Sequence, residues 1–143
     1  DIGLATDSAT SNNTLDMFET LKLFPLLQKG LSGDATIVPA SEAFQTATIG
    51  GARALKWDDQ IGLIKEGYKA DIVVLNTRNM HSMPLYDIYS HLVYSARSAD
   101  VLHVFVDGKQ LVKGGRIIGL DYEAFFEKVN ETRDSILKKV GNI

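Results

Sequence analysis

The chain has 143 residues, 45% of them hydrophobic and 23% charged, the balance of a folded globular protein rather than a disordered one. Fifteen Lys and Arg against 18 Asp and Glu give a formal charge of −3, so nucleic acid and anionic membrane are poor partners on charge alone. Zero cysteines exclude disulfides, thiolate metal sites and cysteine nucleophiles, and no apolar run reaches the ~18 residues of a membrane span. The absence of cysteine is compatible with a reducing cytoplasm, the expected location. Its first residues, Asp1-Ile2-Gly3-Leu4-Ala5-Thr6-Asp7, have no initiator methionine and read as the end of a buried strand, which leads us to expect a piece cut from a longer protein.

After Asp7 the polar run Ser8 to Thr14 predicts a loop, because such side chains bond their own backbone in competition with helix. Asn13 is the expected cap of the following helix, with Asp16 and Glu19 suited to its positive end. Leu15, Phe18, Leu21 and Leu26 recur at roughly helical spacing. Pro25 cannot donate to Leu21 and crowds its carbonyl, so a kink or end is expected near Phe24, and Gly30 and Gly33 mark a break. A second helix is expected after Pro39, through Ala43, Phe44, Ala47 and Ala54-Leu55. Gly50-Gly51 inside it costs ~1 kcal/mol per residue relative to alanine, which close backbone packing against a neighbour would offset.

From Asp58 the pattern changes to short strands: Ile61 to Ile64, a turn at Glu66-Gly67, then Ala70 to Asn76 around the apolar, buried-type run Ile72-Val73-Val74-Leu75. Tyr86 to Ala96 predicts a short helix and Val101 to Val106 a strand. Asp107-Gly108 is a hairpin turn, since both central positions need positive φ. Gln110 to Val112 returns, Gly114-Gly115 turns again, and Arg116 to Ile118 continues. Asp121 caps a final helix whose Tyr122, Phe125, Phe126, Val129, Ile136, Leu137 and Val140 line one apolar face. That face is either core or an interface, docking on missing parts or on another subunit if this chain leaves it uncovered.

Four blocks then carry a resemblance. Gly3-Leu4-Ala5-Thr6-Asp7-Ser8-Ala9-Thr10-Ser11-Asn12-Asn13-Thr14-Leu15-Asp16-Met17-Phe18 resembles the eighth-strand signature of the metal-dependent amidohydrolase superfamily, in particular the 5-methylthioadenosine/S-adenosylhomocysteine deaminases and related chlorohydrolases. Ala47 to Leu55 resembles the family helix leaving the barrel, and Ile61-Gly62 through Gly67 to Leu75 its following strands. His91-Leu92-Val93-Tyr94-Ser95-Ala96, Asp100-Val101 and Val106 to Lys109 complete the series in the expected order. The resemblance implies an α/β fold: the last strand and helices of a (β/α)8 metal-dependent hydrolase barrel, the C-terminal part of a small β-sandwich, and a packing helix. The corresponding segments are 1–57, 58–120 and 121–143. A whole barrel needs ~250 residues, so upstream strands would belong to a missing N-terminal part of the same protein.

The resemblance also implies chemistry. The aspartate ending the eighth strand of the family binds a divalent metal, most often Zn²⁺, with three histidines of earlier strands; by motif that residue is Asp7. As metal ligand, catalytic base and substrate contact, Asp7 would serve water activated near neutral pH for attack on a nucleoside-like or other heterocyclic amine, an adenosine-type substrate first of all. Ser8 and Asn12 are secondary candidates at the pocket rim, with loop shaping as their alternative role, as for Ser11 and Asn13. His81, His91 and His103 form no His-x-His pair and are assigned structural roles. Arg53 reads as a helix-surface ion-pair partner, Trp57 and Tyr68 as packing residues. Zinc catalysis takes about three protein ligands, so this chain alone is expected to be inactive. The alternatives are a hydrolase of guanine, cytosine or a triazine, or a noncatalytic assembly module. Truncation predicts that Leu4, Phe18, Leu21 and Phe24 face surface the missing strands would cover, and that copies could associate there.

Overall fold

The computed structural model describes residues 1–141, so the last two positions of the segment 121–143 read as a final helix lie outside the described residues. Residues 1–7 form no helix and pair with no strand among the described residues, a departure from the expected barrel strand. Strand geometry needs neighbours to satisfy both backbone edges, and here the one backbone bond is from Leu4 N to Thr46 O, 3.3 Å.

Helix α1 spans Met17–Ser32. Asp16, rather than Asn13, caps it, with Oδ1 accepting from Phe18 N at 2.9 Å and Glu19 N at 3.2 Å. The helix also runs on through Pro25 to a left-handed Gly33, whose N–H closes on Lys29 O, so it does not end near Phe24 and breaks at Gly33 instead. Pro25 and Leu21 are both buried one turn apart on the same face, and that packing offsets the lost backbone bond. Helix α2 (Ala40–Gln45), a π-helical turn (Thr46–Gly50) and α3 (Gly51–Ala54) follow as one continuous helical run after Pro39.

The core forms where α1 and α2 meet the short helix α4 (Ile88–Ser90) and the π-helical turn His91–Ser95 that extends it. Leu21, Ala43 and Val93 are its centre, with Leu4, Phe24, Phe44 and Tyr94 packed around them. The expectation that Leu21 and Phe24 face uncovered surface is therefore corrected: they point inward with Pro25. The apolar residues α1 leaves exposed are Leu23, Leu26, Leu27 and Leu31, the last 85% exposed.

The glycines of the second helical run do allow close packing. A Cβ at Gly50 would stand 2.8 Å from Ile2 O and 3.0 Å from Gln45 O, and one at Gly3 would stand 2.8 Å from Gly51 Cα. These contacts, with the Leu4 N bond to Thr46 O, lay residues 2–4 directly on the helix backbone. Gly50→Ala is accordingly expected to destabilise by ~1–3 kcal/mol, because backbone atoms cannot yield as a side chain can. Gly30→Ala, in open space on α1, should instead gain ~0.5–1 kcal/mol of helix propensity. Opposite shifts of the urea midpoint would check the pair.

Ile61 to Ile64 is not a strand. Gly62 adopts φ +93° where a Cβ would stand 2.9 Å from Ala52 Cβ and 3.0 Å from Ile49 Cα, and Gln60 and Ile61 bond back to Trp57 O, so the segment folds as a turn on the end of the helical run. The sheet is four antiparallel strands in sequential order: β1 (Ile72–Leu75), β2 (Val101–Val106), β3 (Lys109–Lys113) and β4 (Arg116–Ile117). Ile72 faces Phe105 and Val104 faces Val112, with irregularities at Val74/Leu75 and Val104/Phe105. Asp107 (φ +51°) and Gly108 (φ +77°) make the expected hairpin turn, and Gly114-Gly115 the next one. The apolar run of β1 is not buried: Val73 and Val74 are exposed.

Helix α5 (Tyr122–Val140) is capped by Asp121 as expected and tied to β4 through Ile117 N donating to Tyr122 OH at 2.7 Å. Arg116 lies over the Tyr122 ring, 4.2 Å from its centroid. The helix buries no side chain, however. Phe125, Phe126, Val129 and Ile136 stay about half exposed, so within this chain its stripe is not core, which leaves the interface alternative. Among the described residues no helix is long and apolar enough to cross a membrane.

Candidate functional site

Asp7 stands where the first segment turns into the Ser8–Thr14 loop. Its backbone is left-handed (φ +61°), a conformation aspartate tolerates better than most residues, and the turn leaves its carboxylate at the surface. Both oxygens are engaged: Oδ1 accepts from Ser8 N at 2.7 Å and Oδ2 from the Ser11 hydroxyl at 2.8 Å. The Ser11 hydroxyl and then the Ser8 N–H hold the Asp7 carboxyl below the usual carboxylate range, so it is anionic at neutral pH.

The loop is closed by its own polar groups. Asn12 N donates to Ser8 O at 2.8 Å, and the half-buried Asn12 side chain donates to Thr6 O at 2.9 Å. Thr14 Oγ1 reaches Glu19 in the first turn of α1 at 2.8 Å, anchoring the far end. Ser8, Ser11 and Asn12 are thus gathered around Asp7. Asp7 offers the hard anionic oxygens that a divalent cation takes, and it fits the role of a single ligand. Among the described residues no three His, Cys, Asp or Glu side chains come together as a cation site.

The histidines lie elsewhere. His91 is buried, 6% exposed, with its Nε2 unpartnered; His103 Nδ1 accepts from Gln110 Nε2 and Gly114 N, both at 3.3 Å. His81 is in a one-turn 3₁₀ helix (Met80–Ser82), not a free loop, and its Nε2 meets Asp100 Oδ2 at 2.9 Å. Asp100, 3% exposed, also accepts from Asn79 Nδ2 at 2.6 Å and Arg97 N at 2.9 Å. Burial alone would raise its carboxyl; the bonds from His81 and Arg97 outweigh burial and hold it low. This cluster was not foreseen, because nothing local in the sequence links positions 81 and 100.

Arg53 makes no salt bridge among the described residues, and Trp57 is exposed rather than packed; Tyr68 OH donates to Asp58 O at 2.8 Å. A cleft of about 490 Å³ opens between α1 and the 81–97 stretch, lined by Asp16, Lys22, His81, Tyr94 and Arg97 among others. It does not include Asp7.

The amidohydrolase family model matches residues 1–111. The 5-methylthioadenosine/S-adenosylhomocysteine deaminase of Moorella thermoacetica is 42% identical over 130 residues, 91% of this chain and 30% of that protein. The 5'-deoxyadenosine deaminase of Methanosarcina acetivorans is 37% identical over 140 residues, 98% of this chain and 32% of that protein. A zinc-bound crystal structure of an adenosine deaminase from Xanthomonas campestris agrees with a TM-score of 0.90 at 34% identity, over 95% of this chain and 31% of that one. The chain spans about 30% of the length of the curated relatives it matches. With the match running from the Asp7 segment through the helical run and most of the sheet, the chain belongs to the amidohydrolase family.

Proposed function

We propose that the complete polypeptide carrying this chain is a hydrolytic deaminase of adenosine-type nucleosides, 5-methylthioadenosine and S-adenosylhomocysteine first among them. The observation that carries this reading is the likeness of nearly the whole chain to deaminases of such nucleosides, with Asp7 held at the end of the segment that opens it. In this reading residues 1–57 close a (β/α)8 barrel, 58–120 complete a small sandwich and 121–143 form an added helix. The remainder of the polypeptide covers the apolar side chains left exposed on α1 and α5 and supplies the histidine ligands this chain lacks.

A divalent cation, zinc by preference, would supply Lewis-acid activation of water when bound. Asp7 lends it one carboxylate oxygen, takes the proton that the attacking water gives up, and returns it as ammonia departs from the purine. Its low-lying carboxyl is suited to the anionic state in which it must begin. Ser8 and Asn12 shape the loop that presents Asp7 to the substrate.

Ammonia release by the complete polypeptide with zinc, across 5-methylthioadenosine, S-adenosylhomocysteine, 5'-deoxyadenosine, guanine, cytosine and a chlorotriazine, tests the assignment. Turnover should favour the adenosine-type group; preference for another class would replace it. The 143-residue chain with zinc should show no turnover on any of them, since one ligand cannot hold a catalytic cation.

A further inference from the structure

We infer that Ser11 is a positioning residue for Asp7, its hydroxyl fixing the plane of the carboxylate from 2.8 Å. The inference rests on the reading of Asp7 given above and goes beyond it. Asp7 is exposed, so nothing packs against its side chain to set its torsions. The Ser8 N–H on Oδ1 holds one oxygen, about which the carboxylate plane can still swing. The Ser11 hydroxyl on Oδ2 removes that freedom.

Ser11 is itself set in place. Its own N–H and that of Asn12 both turn back to Ser8 O, at 3.2 and 2.8 Å, and the Asn12 side chain pins the same turn to Thr6 O. The hydroxyl has a single proton and two acceptors in reach, Asp7 Oδ2 at 2.8 Å and Ser8 O at 3.2 Å. The shorter, charge-assisted bond to the carboxylate takes it. Ser8 Oγ, 3.3 Å away, is left as a donor to Ser11 Oγ, so the hydroxyl is engaged on both sides. Groups that hold a ligand carboxylate in this way typically govern about 10- to 100-fold in metal affinity or activity.

The test compares Ser11→Ala, Ser11→Thr and Asp7→Asn in the complete polypeptide. Readouts are zinc retained against a graded chelator and kcat and KM with 5-methylthioadenosine. Ser11→Ala should unfold at an unchanged midpoint, hold zinc about 10- to 100-fold less tightly and lose kcat with KM little altered. Ser11→Thr, which keeps the hydroxyl, should restore both. Zinc retention and kcat of Ser11→Ala equal to the parent's, with both lost in Asp7→Asn, overturn the role of Ser11 and leave Asp7 standing. Equal losses in Ser11→Ala and Ser11→Thr also overturn it, since the hydroxyl is then irrelevant. An Asp7→Asn protein that keeps zinc and turnover overturns the reading of Asp7 and this inference with it.

Discussion

Asp100→Ala is expected to destabilise the fold by about 3 kcal/mol, since a buried donor left without its acceptor costs ~1–3 kcal/mol and more than one loses it here. His81 adds least, because its side chain is about 30% exposed and can be rehydrated. Asn79 Nδ2 and Arg97 N lose their acceptor in the same step. Asp100→Asn should lose less, since one amide oxygen still accepts, but its NH₂ then confronts a donor on the other side. Against ~5–15 kcal/mol for a whole domain, this is a large share in a chain that buries so few apolar side chains. The pH dependence has a definite sign. The folded carboxyl lies below its usual value, so its contribution is present above the unfolded value of ~3.9 and fades as pH falls through the folded one. Urea midpoints should hold from pH 7 toward 5 and drop below ~4, less steeply in Asp100→Ala than in the parent. A flat acid profile in the parent would remove the argument.

Features set by neighbouring residues were legible in the sequence. Asp107-Gly108 needs positive φ at both positions whatever surrounds it, Asp121 bonds amides two and three residues ahead, and Gly50 meets a neighbouring backbone as its cost in a helix implied. Features decided by burial were not. Pro25 was read as a kink or an end, and the inward face it shares with Leu21 carries α1 past it. Asn13 has the right side chain for a cap, but Asp16 stands where the chain turns into the core, and its carboxylate reaches the first free amides. Ile61 to Ile64 has strand-forming residues, but Gly62 abuts the helix backbone, and that contact holds a turn.

At the site, the same division holds. Asp7 was singled out by the motif it closes, and the groups that hold its carboxylate, Ser8 and Ser11, are also its neighbours in sequence. His81 and Asp100 could not be, since their meeting at 2.9 Å depends on how β1 leads into the 76–100 stretch. The run of residues 1–7 was read as a strand from its apolar content. Strand pairing, however, is a property of two segments, and within this chain residues 2–4 of the run lie against a helix instead.

Asp7→Asn in the complete polypeptide is expected to lower kcat by on the order of 10²–10⁴-fold, the span a positioned proton-transfer group supplies. The substitution removes charge and basicity while keeping shape, and the loop can keep its bonds. The Ser8 N–H can only donate, so the amide oxygen of an asparagine must stay where Oδ1 is, at 2.7 Å. That places the NH₂ group where Oδ2 is. The Ser11 hydroxyl there can turn its proton to Ser8 O at 3.2 Å and accept from the NH₂ instead. Every donor therefore keeps an acceptor, and the unfolding midpoint should move by no more than the ~0.5 kcal/mol usual at exposed positions. Lost turnover and lost zinc at unchanged stability would report the carboxylate's chemistry; a fall in stability matching the fall in kcat would return Asp7 to a turn residue. The same rearrangement lets Oδ2, but not Oδ1, carry a proton without breaking the loop, because only the group facing Oδ2 can change from donor to acceptor.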